Sequence, residues 1–151
     1  MNLSISFLVF VALLGNLCTS VLMTSIVSFI QLIQYPLLNH VSSFDFGCYF
    51  KKYVTRISWI IYPVMILEIL FAFWLAFLPL HSKLQLPVLI TYLLLALVAI
   101  NTFLFQVPMI QKLRFSFDKK LVSKIRLFNW VRFFSSVLRT ILLLWIILFI
   151  I

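Results

Sequence analysis

The chain has 151 residues, 65% of them hydrophobic, and a mean hydropathy of +1.22. Its net charge of +9 comes from 12 Lys and Arg against three Asp and Glu. A water-soluble domain of this size needs far more polar surface, so this composition excludes one and points to a lipid-embedded chain.

Four apolar stretches are long enough to cross a bilayer as helices, near residues 5–35, 56–80, 86–110 and 128–150. Together they occupy most of the chain, which predicts a single integral membrane domain over 1–151. The first stretch is predicted to be a retained helix rather than a signal peptide. No Lys or Arg precedes Lys51, and the apolar run is too long for a signal h-region. Leu17 stands before Cys18 where lipoprotein processing expects a small residue. Cys18 lies inside this span and Cys48 beyond it, so no disulfide is expected, and no Cys/His cluster marks a structural metal.

Span one closes on Gln34-Tyr35-Pro36 and is followed by His40, Ser43-Phe44-Asp45, Tyr49, Lys51, Lys52 and Arg56. Span two carries an acid, Glu68, 12 residues past Arg56. At the helical rise that is about 18 Å in, near the midplane. Only His81 and Lys83 mark the loop between spans two and three. Span three carries Asn101 at comparable depth and closes on Gln106-Val107-Pro108. A basic segment from Lys112 to Arg126 leads into span four, which holds Asn129, Arg132 and a mid-span base, Arg139.

The charge is uneven. Both basic loops fall on one side of a four-pass chain, and the positive-inside rule makes that side cytoplasmic, with both termini outside. Topology and anionic lipid headgroups account for these bases, so nucleic acid is set aside as a partner.

The halves resemble each other. Gln-x-Pro, Ser-Phe-Asp, a Lys pair and a span recur as Gln34–Pro36, Ser43–Asp45 and Lys51-Lys52, then as Gln106–Pro108, Ser116–Asp118 and Lys119-Lys120. Both halves enter the membrane in the same sense, which predicts a parallel 2+2 repeat of helical hairpins. Pro36 and Pro108 are expected to bend or stop their helices, and the Ser or Asp of each tripeptide to cap the next. Within 117–126, Phe117, Leu121, Val122 and Ile125 share a face opposite the bases. That pattern predicts a short interfacial helix, and 46–55 repeats it with Phe46, Tyr49, Phe50 and Tyr53. The expected fold is all-α: a four-helix transmembrane bundle with short interfacial helices on the cytoplasmic side.

Charges inside a bilayer are costly and turn toward partners. Glu68 and Arg139 are therefore expected to pair, with Asn101 beside them. The pair serves to fix helix register, as a proton or ion site, or in ligand binding. A second polar layer lies about one turn inside the basic surface: Gln31, Gln34, Gln106, Asn129, Arg132 and Arg56, beneath His40, Tyr49 and Tyr53. Amides, tyrosines and an arginine in one layer suit a flat or amphipathic ligand such as a quinone, an aromatic polyketide or a lipid headgroup, although such residues are also ordinary at a membrane interface. His40 and His81 are predicted at opposite ends and cannot share a haem. The sequence assigns no cofactor, and no catalytic residue.

Gln34-Tyr35-Pro36, Arg56-Ile57, Pro63 to Glu68, Gln106-Val107-Pro108, Phe117-Asp118 and Asn129-Trp130 with Arg132 resemble an uncharacterised family of small four-span bacterial membrane proteins. That family is distantly similar to the anthrone-oxygenase-like membrane proteins. The resemblance implies a four-helix bundle in a bacterial inner membrane. Relatives often carry a histidine after the position of Tyr49 and another two residues past the second Gln-x-Pro. Phe50 and Ile110 stand there in this chain, so chemistry borne by those histidines is not implied.

The leading expectation is a small integral membrane protein that binds an apolar ligand, a membrane-protein partner or a second copy of itself through the cytoplasmic polar layer. The alternative is an oxidoreductase on an aromatic or quinone-like substrate, with Gln34, Gln106, Asn129 and Arg132 orienting its oxygens. A third reading is a small proton-linked transporter using Glu68.

Overall fold

The computed structural model describes residues 3–42, 44–79, 81–115 and 117–150. Four long apolar helical segments cross the molecule, over Phe7–Leu37, Phe46–Ala76, Ser82–Leu113 and Lys119–Ile150. The chain is an all-α four-helix bundle and a multi-pass integral membrane protein. Helices satisfy every backbone group internally, which is what lipid demands.

Spans two and four run longer than their apolar stretches, 31 and 32 residues. At 1.5 Å per residue each is about 47 Å long, beyond the roughly 30 Å hydrocarbon core. The predicted interfacial helices over 46–55 and 117–126 therefore do not stand apart. They are the first turns of spans two and four, projecting past the lipid with Lys51, Lys52, Lys119 and Lys120 exposed. No Pro or Gly follows Gly47 before Pro63, or Lys119 before the end of span four, so nothing stops either helix once started. Asp118 caps span four: its Oδ1 accepts from Lys120 N at 2.8 Å and Leu121 N at 3.2 Å. Asp45, at the matching position, makes no side-chain cap. Ser43 and Ser116, the other predicted caps, lie outside the described residues.

The repeat appears in the backbone as well. Span one is α-helical over Leu3–Phe29, π-helical over Ile30–Gln34, and α-helical again over Tyr35–Leu37. Span three is α-helical over Ser82–Ile100, π-helical over Asn101–Gln106, and α-helical over Val107–Leu113. In each, the residue before proline donates to a carbonyl five back: Tyr35 to Ile30 and Val107 to Thr102. Proline offers no donor and its ring crowds the carbonyl four back, and a one-residue widening removes the clash. Of the two expected outcomes, a bend or a stop, the stop does not occur; the helices continue with a shifted register.

Spans one and four form the centre. Val9, Leu13, Asn16, Ser20, Met23, Val27 and Ile30 make one buried stripe. Val122, Ile125, Asn129, Arg132, Ser136, Arg139, Leu143 and Ile146 make the other. Steps alternate between three and four residues, the spacing of a left-handed helix seam. Span two packs on span one and span three on span four. Where the seam enters the outer apolar half, Gly15 lets span two close in: a Cβ there would collide with the Phe71 ring. Two apolar clusters close the bundle. One gathers Val9, Leu13, Leu75, Leu84, Leu143 and Ile146 near the termini. The other gathers Leu38, Phe46, Phe50, Leu113, Val122 and Ile125 at the basic end.

Candidate functional site

Between these apolar plugs lies a polar belt. At its centre Arg139 Nη1 donates to Glu68 Oε1 in a fully buried ion pair. Arg139 Nη2 donates to Asn16 Oδ1 at 2.6 Å. The predicted pairing of Glu68 with Arg139 is present. Asn101 makes no hydrogen bond to the pair among the described residues: its Nδ2 donates to the Phe128 carbonyl at 2.9 Å, joining spans three and four. Asn16 takes the predicted place instead.

One turn away, Ser20 and Thr24 hydroxyls meet Thr140 Oγ1 at 2.9 Å and 3.0 Å. Thr140 has one proton, and it can donate this to the Ser136 carbonyl at 2.9 Å. Ser20 and Thr24 then serve as the donors. Toward the basic end, Asn129 Nδ2 donates to Gln31 Oε1 at 2.8 Å across the seam. Gln34 Nε2 donates to the Tyr49 hydroxyl at 3.0 Å, and the Tyr49 ring lies parallel to that of Tyr53.

Spans two and three diverge at this level. Span two has no buried residue between Val54 and Glu68, and span three none between Thr91 and Asn101. The gap is a cleft of about 90 Å³. Span two supplies Tyr53, Ser58, Ile61 and Tyr62 as one wall, and span three supplies Thr102, Phe103 and Gln106 as the other. Tyr35, Asn129 and Arg132 form the floor. The apolar cluster at Phe46, Phe50 and Leu113 shuts it toward the basic end. Tyr62 and Phe103 at its rim are about half exposed on the perimeter of the bundle. The cleft therefore opens sideways, where lipid lies.

The predicted site residues divide accordingly. Gln106, Asn129 and Arg132 come together at the cleft. Gln34 is turned away into its bond with Tyr49. His40 is exposed in a short 3-10 turn, Leu38–His40, and Arg56 is exposed on the outer face of span two, so neither reaches the cleft. Tyr49 is held above it, as part of an aromatic shelf. Sequence reasoning missed Asn16, Ser20 and Tyr35. The first two were discoverable, since Asn16, Ser20 and Met23 fall on one stripe at helical spacing.

Charge is unbalanced here. Arg132 and Arg139 are both buried, 5% and 1% exposed, and share one buried carboxylate. Arg139 takes it. Among the described residues Arg132 has no ion-pair partner, and its one side-chain bond runs from Nη2 to Met23 Sδ at 3.3 Å, a weak acceptor. Arg132 Nε and Gln106 Nε2 are buried with no acceptor among the described residues. The residues lining the cleft thus include unsatisfied hydrogen-bond donors and a buried positive charge. No family model matches this chain, and neither a curated protein nor a solved structure matches it.

Proposed function

We propose that this membrane protein binds an amphipathic, membrane-dissolved molecule in the cleft between spans two and three. One observation carries the reading: Arg132 and Gln106, whose buried N–H groups have no acceptor among the described residues, line a space whose rim reaches the lipid-facing perimeter. A buried, unsatisfied donor costs about 1–3 kcal/mol and a charged one more, so an acceptor brought by a ligand is rewarded. At about 90 Å³ the cleft is smaller than the roughly 300–1,000 Å³ of sites that swallow a drug-sized molecule. It suits a polar head whose apolar remainder stays in the bilayer. Oxygens of an aromatic substrate, as the anthrone-oxygenase resemblance suggests, are acceptors of this kind. The apolar clusters above and below the polar belt speak against a proton path through Glu68.

The positive-inside rule places the basic end at the cytoplasmic face of a bacterial inner membrane, with both termini outside. The binding test is direct. Protein purified in mild detergent should carry an extractable amphiphile by native mass spectrometry. Amphiphiles with acceptor headgroups should also raise its melting temperature, and Arg132→Gln should abolish both effects. Wild-type protein that carries nothing and does not respond would refute the reading.

A further inference from the structure

A second groove, about 410 Å³, runs along the lipid-facing side of span two past Ser58, Trp59, Tyr62, Pro63 and Ile66. Its far wall is Arg114, just past the last turn of span three. Groove and cleft share Ser58 and Tyr62 as lining residues, so the two spaces adjoin there. Arg114 Nε is buried with no acceptor among the described residues. The Arg114 carbonyl also presses on span two at Gly47, where a Cβ would come within 3.3 Å, so a glycine permits the approach that forms this wall. Among the described residues neither Arg132 nor Arg114 has an ion-pair partner, and each lines one of two adjoining, largely apolar spaces.

We infer that the ligand is an anionic amphiphile, an oxyanion headgroup on a hydrocarbon chain. Its oxyanion is held by Arg132 and Gln106, and its chain lies over Trp59, Tyr62 and Ile66. This rests on the cleft being a ligand site. Charge complementarity selects the class. A neutral headgroup satisfies the donors but leaves the Arg132 charge uncompensated in low dielectric, whereas an oxyanion answers both. Planar guanidinium geometry matches carboxylate and phosphate oxygens alike. Arg114, near the basic surface, draws the same charge toward the groove, where the apolar chain finds Trp59, Pro63 and Ile66. The small cleft takes the headgroup and the larger groove the chain.

Three probes sharing an oleoyl chain test this on the full-length protein in detergent: oleate, dioleoyl phosphatidate and uncharged mono-oleoylglycerol. At least one anionic probe is expected to bind about 10- to 100-fold more tightly than the glyceride, the range of a charge-assisted hydrogen bond. Arg132→Gln should erase that margin, Arg132→Lys should keep most of it, and Arg114→Gln should slow association. A margin for oleate alone identifies a carboxylate source, one for phosphatidate alone a phospholipid source, and both results support the inference. Equal binding of all three probes overturns the oxyanion while leaving the cleft as a binding site. Binding of none, with no co-purified amphiphile, overturns both. Should Arg132→Gln fail to fold, the probe comparison on wild type and Arg132→Lys decides alone.

Discussion

Glu68 and Arg139 meet across spans two and four with both side chains withdrawn from lipid. Removing one partner leaves a buried charge facing nothing, which costs about 3–5 kcal/mol in water-soluble proteins. In a membrane the unfolded reference also finds partners, so the loss falls toward the lower end. Glu68→Gln is expected to lower the thermal midpoint in detergent clearly, and Arg139→Met to do so as much. Glu68→Leu combined with Arg139→Met should recover most of the loss, since apolar packing often replaces a buried pair without cost. A double variant no better than the singles would show the pair to be more than a register device. That Glu68 and Arg139 would be buried was legible in the chain, because a charge inside an apolar run has few places to go. Their neighbours were not. Depth along a helix can be counted from its end, but the direction an amide points depends on helix rotation. Asn101 bonds the Phe128 carbonyl, and it is Asn16 that bonds Arg139.

At the scale of elements, prolines and a glycine set the register. Pro108→Ala restores a donor for the Leu104 carbonyl, so span three can return to an uninterrupted α-helix. Gln106 then rotates away from the cleft. The expected outcome is weaker amphiphile binding with little change in melting temperature; unchanged binding would detach Gln106 from the site. Gly15→Ala should act in the opposite sense. Its added methyl runs into the Phe71 ring and forces spans one and two apart, and overpacking of this kind costs about 1–3 kcal/mol. A Gly15→Ala, Phe71→Leu pair should melt higher than Gly15→Ala alone. The Gln-x-Pro repeat marked both irregular stretches in advance, but as bends or ends rather than as shifts. Proline chemistry says that one bond is lost. It does not say whether the helix breaks or widens around the loss, and the answer came from packing beyond it.

For the whole molecule, the native cysteines report topology. Cys18 is exposed on span one about 16 Å from the start of that span, within hydrocarbon, while Cys48 is exposed in the first turn of span two at the basic end. A membrane-impermeant maleimide should label Cys48 from one face only and leave Cys18 unlabelled until detergent is added. With the basic end cytoplasmic, intact cells or spheroplasts should show no labelling and inverted vesicles should show it at Cys48. The reverse pattern would invert the orientation. Membrane residence, the number of spans, the common side of the basic loops and the buried acid and base all followed from the chain alone. Run length, charge placement and desolvation cost act locally and survive any arrangement of helices. The gap between spans two and three, the lack of an ion-pair partner for Arg132 among the described residues and the sideways cleft belong to the tertiary structure. They depend on which helices touch, and apolar faces of nearly equal hydrophobicity carry no local signal of which will turn to a neighbour and which to lipid.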